Sequence, residues 1–311
     1  MDLLETLHNV VRKALLARGV ESRLAQAAGH SVHFYRLGGR GGGPPVVLVH
    51  GLGGNANGFA RLLFGLGRHF RAVYALDLPG SGFSPLPESG PLALAELLAV
   101  LHAFCGEVVR EPALVVGNSL GGALALTLAA EHPEDVCALG LLAPAGARIP
   151  EERFAELMRR LEVNTPREGL AFTRRLFHRA PVTALLFSSQ MPKMHNTPAV
   201  RAIRARATPE SHITPEQLAR VEVPTLLLWG GSEKLLPEEM LAYYRSHLPA
   251  TARIEVVEGM GHVPQMERPR EVVRRLAAFA RASGLPGING AERPASPPSG
   301  GSGSATLPSR A

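Results

Sequence analysis

An α/β fold built on a mostly parallel sheet is what the sequence predicts, and three observations predict it. Short apolar, β-prone runs recur at residues 46–50 (VVLVH), 72–76 (AVYAL), 113–116 (ALVV), 139–142 (LGLL) and 225–229 (TLLLW). Runs with no polar interruption suit strands buried on both faces of a sheet. Helix-like stretches separate them, and parallel neighbours need such crossovers. Glycine-rich turns leave the first and third of these runs at 51–54 and 117–122, at the strand ends where ligands of open α/β sheets bind.

Taken in order, residues 3–15 place Leu3, Leu4, Leu7, Val10, Val11, Ala14 and Leu15 at helical spacing, with Arg12, Lys13 and Arg18 opposite. This N-terminal helical segment, assigned to 1–29, is expected to pack on its own domain in preference to docking on a membrane. Residues 31–36 are a first strand and 38–45 a flexible glycine-rich turn before the strand 46–50. Helix 61–70, strand 72–76, helix 93–109 and strand 113–116 follow. Helix 120–131 stops at His132-Pro133, because proline cannot continue a helix. Strand 139–142 leads into 148–222, which is helical and polar without a strand pattern and is read as an insertion over the sheet. Strand 225–229, helix 237–248, strand 253–257 and helix 269–283 close the domain. Residues 284–311 are rich in Gly, Pro and Ser and are expected to be disordered.

Composition narrows the class. The chain has 311 residues, 45% of them hydrophobic, enough for a sizeable core. It shows no apolar run of the ~20 residues that cross a bilayer and no secretory signal. Two cysteines, Cys105 and Cys137, form neither a disulfide framework nor a metal pattern, which points to a reducing, cytoplasmic compartment. The net charge is +6, but the arginines are scattered among acids without aromatic interleaving. That pattern argues for a solvated surface and against a nucleic-acid partner.

The chemistry begins at Gly117-Asn118-Ser119-Leu120-Gly121, between a buried strand and a helix. A serine on such a strained turn is exposed as a nucleophile, with backbone N–H groups beside it for an oxyanion. Gly117 and Gly121 allow the strand and helix backbones to approach closely. The competing reading is that Ser119 merely caps the helix. A second glycine turn, His50-Gly51-Leu52-Gly53-Gly54, offers the other half of an oxyanion hole, with the N–H groups of Leu52 and Leu120 as the pair. A phosphate loop is the alternative there, but its lysine and spacing are missing. His50 itself reads as a structural hydrogen-bonding residue. Among twelve histidines, His262 stands out as the base because it follows the strand 253–257 within a glycine turn. Glu233, four residues beyond Trp229, is the candidate acid. Glu222 sits at the wrong end of that strand, and Glu258 would have to fold back sharply.

With these residues placed, the chain resembles the α/β-hydrolase family over roughly residues 31–283. Four motifs occur in the family's order: HGLGG (50–54), LDLPGSGFS (76–84), GNSLGG (117–122) and GHVPQMERP (261–269). The resemblance implies an eight-stranded, mostly parallel sheet flanked by helices, with a core formed by 1–147 and 223–283 and a helical cap at 148–222. It also implies a triad of Ser119, Glu233 and His262, with glutamate where most relatives carry aspartate, and a structural Asp77. No metal or cofactor is called for, and serine at 119 departs from the branches that use aspartate there.

The expected activity is hydrolysis of a carboxylic ester with a small or medium apolar acyl group, through an acyl-enzyme. Asn118, Phe154, Met158, Phe187, Met191 and Val263 are the candidate substrate contacts. A carbon–carbon hydrolase of ring-fission dienones is the nearest alternative, since Asn118 resembles that branch, although Val263 stands where those enzymes usually carry tryptophan. A catalytically silent ligand receptor on the same fold is the third reading.

Overall fold

The computed structural model describes residues 3–288. Eight strands form one sheet in the order β1-β2-β4-β3-β5-β6-β7-β8. They are β1 (Glu21–Ala27), β2 (His30–Gly38), β3 (Val46–Val49), β4 (Ala72–Leu76), β5 (Ala113–Asn118), β6 (Val136–Leu142), β7 (Thr225–Gly230) and β8 (Arg253–Val257). Only β2 runs against its neighbours. Because side chains alternate across a strand, each central strand feeds two cores. Val47, Val49, Val115, Leu139, Leu141 and Leu227 face one side. Val46, Leu48, Leu114, Val116, Leu226 and Leu228 face the other.

Helices cover both faces. α3 (Leu94–Ala103), α4 (Leu120–Glu131) and α11 (Glu238–His247) supply Leu97, Leu124, Leu128 and Tyr244 to the first core. α1 (Leu3–Leu16), α2 (Ala60–Leu66) and α13 (Pro269–Ala282) supply Leu15, Leu62, Leu66 and Leu276 to the second. Between β6 and β7 lie α5 (Glu151–Leu161), α6 (Pro166–Leu176), α7 (Val182–Leu186), α8 (Met191–His195), α9 (Pro198–Arg206) and α10 (Pro215–Ala219). α12 (Pro264–Glu267) precedes α13. None of the described helices is long and apolar enough to cross a membrane.

Three expectations need correction. The N-terminal segment is not helical to residue 29: α1 ends at Leu16 and β1 pairs with β2 along its whole length. β1 is an edge strand whose only fully buried residue is Ala27, and Leu24 is 63% exposed, so it carries no apolar alternation to read. Its hairpin turns through Ala28 and Gly29, both at positive φ as a two-residue type I′ turn needs, without the usual Asn-Gly signal. The 38–45 turn is held and not flexible. Gly39 and Arg40 donate to Arg71 and Gly67 carbonyls, and a Cβ at Gly39 would lie 1.8 Å from the Phe70 oxygen. Finally, the tail expected to be disordered from 284 is packed at its start, where Leu285 is buried in the second core. Residues 289–311 lie outside the described residues.

Candidate active site

Ser119 stands at the carboxyl end of β5, at φ 54 and ψ −118, a conformation that L-residues rarely adopt. The turn holds because its neighbours are glycines. A Cβ at Gly117 would come 2.1 Å from the Gly121 oxygen, and one at Gly121 would come 2.2 Å from the Val49 oxygen. The Ser119 backbone is pinned by its N–H to Leu142 and by Gly122, Ala123 and Ala145 N–H groups on its carbonyl. Its side chain makes no helix-capping hydrogen bond, so the capping alternative fails. The hydroxyl side lies against the β3 loop, where a Cβ at Gly51 would be 3.1 Å from the Ser119 Cβ.

His262 and Glu233 meet as the sequence expects. The imidazole Nδ1 is 2.9 Å from Glu233 Oε2, and both side chains are 4% exposed. The other Glu233 oxygen accepts the N–H groups of Leu235 at 2.7 Å and Leu236 at 3.1 Å. Burial opposes the charge of Glu233, but the His262 charge and these hydrogen bonds outweigh it and hold the carboxyl below its usual range. With Nδ1–H committed to Glu233, the His262 Nε2 lone pair is left to act as a base. Glu258 makes no hydrogen bond to His262 among the described residues and sits instead beside Gly231.

The Asn118 amide donates to the carbonyls of Leu142 and His262, both at 2.9 Å, and its oxygen accepts from Gln265 Nε2 at 2.9 Å. Both N–H donors and the oxygen of this buried side chain are thus engaged within the protein. It ties the backbone of His262 to the strand end that carries Ser119, over 144 residues of sequence.

The β3 loop is fixed by His50. Leu78 N–H donates to His50 Nε2 at 3.0 Å and the ring's Nδ1 lies 2.8 Å from the Gly51 carbonyl, which defines a neutral tautomer. Burial lowers its pKa, against the attraction of Asp77, and favours that form. Gly53 takes φ +70 and Gly54 N–H closes the turn on the Gly51 oxygen. Among the described residues the N–H groups of Leu52 and Leu120 have no backbone acceptor, and both residues line one narrow cleft. That cleft is walled by Leu78 and Leu97 from the core and by Ala199, Val200 and Ile203 from α9.

The other substrate candidates sit elsewhere. Phe154 and Met158 pack on the first core, and Met191 joins the small cluster of Val163, Phe172 and Leu235. Val263 is buried with its N–H on the Leu176 carbonyl, and Phe187 is half-buried and does not line the cleft. The α9 residues that do line it were missed, although their spacing at 199, 200 and 203 is a helical face. His195 was missed as well. It is buried in α8 with its ring against Gly53, where a Cβ would be 3.2 Å from Nε2.

Asp77 holds a second Ser–His–Asp chain, in which His33 Nδ1 is 2.7 Å from Asp77 Oδ2 and His33 Nε2 is 2.8 Å from Ser22 Oγ. Asp77 also accepts the N–H groups of Ala56 and Phe83, and Ser22 lies on a regular strand, so this chain is structural. Among the described residues, one group has metal-ligand spacing: His102, His132 and Glu134. His132 and Glu134 precede β6, at the sheet edge opposite Ser119.

A strained serine at the end of a central parallel strand, with a histidine–carboxylate pair from later strands tied to that strand end through Asn118, defines a class of α/β fold. The chain belongs to the alpha/beta hydrolase family, whose sequence model matches residues 46–275. It is 25% identical over 257 residues to a monoacylglycerol lipase of Bos taurus, covering 76% of this chain and 75% of that protein. It is 29% identical over 257 residues to a pimeloyl-[acyl-carrier protein] methyl ester esterase of Chromobacterium violaceum, covering 76% and 94%. A bacterial membrane phospholipase A structure superposes with a TM-score of 0.73 at 27% identity, covering 89% of this chain and 91% of that one.

Proposed function

We propose that the protein is a serine hydrolase that cleaves carboxylic esters through an acyl-enzyme. The observation that carries this reading is the 2.9 Å Glu233–His262 hydrogen bond, tied through Asn118 to the strand end whose next residue is a serine at φ 54 with its hydroxyl unused for capping. His262 Nε2 takes the Ser119 proton as the oxygen attacks the ester carbonyl. Glu233 stabilises the imidazolium, and the Leu52 and Leu120 N–H groups hold the tetrahedral oxyanion. The imidazolium protonates the leaving alcohol, and His262 then activates the water that releases the acid. Relatives that act on esters, a lipase and a methyl ester esterase, support the class of reaction.

The helices from α5 to α10 act as a cap in this reading. They meet the loops beyond β3, β4, β7 and β8: His195 lies at Gly53, Ala199 at Gly80, His178 at Ser232 and at Gly261. The cleft beneath α9 holds only about 10 Å³, so in this reading α9 has to move away from Leu52 and Leu120 before a small or medium acyl chain can enter. Two free cysteines fit residence in the cytoplasm. The carbon–carbon hydrolase alternative loses the residue that suggested it, since Asn118 is occupied with Leu142, His262 and Gln265.

A fluorophosphonate probe should label Ser119 in the folded protein and not in Ser119→Ala. Nitrophenyl esters of graded chain length should turn over with the wild type alone. Absence of labelling would refute the activated serine, and turnover of a ring-fission dienone without the esters would refute the ester assignment.

A further inference from the structure

Seven of the arginines that look scattered along the chain converge on one groove. It runs between α2 and α13 and encloses about 990 Å³, far more than a single small anion fills. α2 contributes Arg61 and the turn after it Arg68 and His69. Arg268 stands at the start of α13, and Arg270, Arg274 and Arg281 follow along it. Arg18, just past α1, closes one end with its guanidinium 3.6 Å over the ring of Phe64.

Seven arginines thus face two glutamates, and both glutamates are engaged. Glu271 pairs with Arg268 and Arg275 and lies 3.6 Å from Arg274. Glu267 accepts the N–H groups of Gly261, His178 and Arg179. Among the described residues Arg18, Arg61, Arg68, Arg270 and Arg281 have no carboxylate within salt-bridge distance. Most of the net charge of +6 is therefore concentrated here. His69 reports the same field: burial, then the charges of Arg281 and Arg68, lower its pKa.

Apolar side chains flank the cations. Leu3 and Val10 are 50% and 57% exposed and share one face of α1 with the exposed Ala14. α1 packs on the Ala56–Phe59 turn, which runs directly into α2, and the chain leaving α1 reaches the groove at Arg18. Met266, 45% exposed, stands beside Glu267 at the other rim. We infer that the arginine groove and the apolar face of α1 form a docking surface for an anionic phospholipid bilayer.

Guanidinium forks fit lipid phosphates, and apolar residues beside them fit the acyl boundary below. A soluble polyanion would use the arginines and leave Leu3, Val10 and Met266 in water. The chain's own residues 289–311 are not complementary, with one glutamate against two arginines.

The test is co-sedimentation of the full chain with vesicles of phosphatidylcholine alone and with added phosphatidylglycerol. Binding is expected only with the anionic lipid, and weaker as salt rises. Each neutralised arginine should cost about fivefold in partitioning, so Arg61→Gln, Arg68→Gln and Arg270→Gln together should cost roughly a hundredfold. The matching triple lysine variant keeps the charge and should bind, which separates loss of charge from loss of fold. Leu3→Asp with Val10→Asp should weaken binding while circular dichroism stays unchanged. Equal binding to both vesicle types, an unaffected glutamine triple, or capture of soluble polyphosphate without vesicle binding would each overturn the inference.

Discussion

Replacing Glu233 by glutamine keeps the shape of the side chain and removes the property the triad needs. Glu233 Oε1 receives two buried N–H groups, from Leu235 and Leu236. In Glu233→Gln the amide oxygen has to stay on them, because leaving buried donors unpaired costs roughly 1–3 kcal/mol each. The amide NH₂ then faces His262 Nδ1 at about the present 2.9 Å. It can only donate there, so the imidazole proton moves to Nε2, the atom that must receive the Ser119 proton. An acid-to-amide change that imposes this tautomer costs about 10⁴-fold in kcat, or about 5.5 kcal/mol of barrier. The assay is kcat and KM for a short nitrophenyl ester, with Glu258→Gln as the control expected to match wild type. Glu233→Asp should fall between the two, because its shorter side chain draws the carboxylate back from Nδ1. A Glu233→Gln enzyme within about tenfold of wild type would refute the assignment of the acid.

Two further outcomes follow from backbone strain and from a buried imidazole. Ser119→Gly should abolish turnover yet raise the melting temperature by a few degrees, since relieving a φ of 54 returns about 1–3 kcal/mol; an unchanged or lower melting temperature would show that the turn is not strained. His195 is lowered from 6.5 to about 4 by burial and then by Arg204. The unfolded chain binds this proton first as pH falls, so stability should drop between about pH 6.5 and pH 4, by about 3 kcal/mol in all. Urea titrations at about pH 7 and about pH 4.5 should show that slope in wild type and a shallower one in His195→Gln, and equal slopes would contradict it.

How legible the site was depended on how local its physics is. Gly117 is explained by a contact with Gly121 inside one strand–turn–helix unit, whereas Gly121 is required by the close approach of Val49 on β3; both glycines flank the serine in sequence, so the turn is legible there. Glu233 and His262 were found because each leaves the carboxyl end of a strand in a short glycine-containing segment. Substrate contacts were not legible. Phe154, Met158 and Met191 look the same in sequence whether a helix turns them toward its own core or toward a cleft, and packing turned them toward the core. Asn118 stands beside the serine in sequence, but its tethering hydrogen bonds are not legible there, because its partners are 24, 144 and 147 residues away.

The sequence by itself determined the central strands, the serine turn and the segments that bring Glu233 and His262 together. These rest on apolar periodicity and on glycine, which act over a few residues. The tertiary structure alone decided the edge hairpin β1–β2, the cleft walled by α9, and the gathering of Arg18, Arg61, Arg68 and the α13 arginines into one groove. Each of these depends on which surfaces come together once the sheet is covered on both faces. Charge spacing along a chain carries no record of that, because the field of a groove is set by distances in space between residues as far apart as 18 and 281.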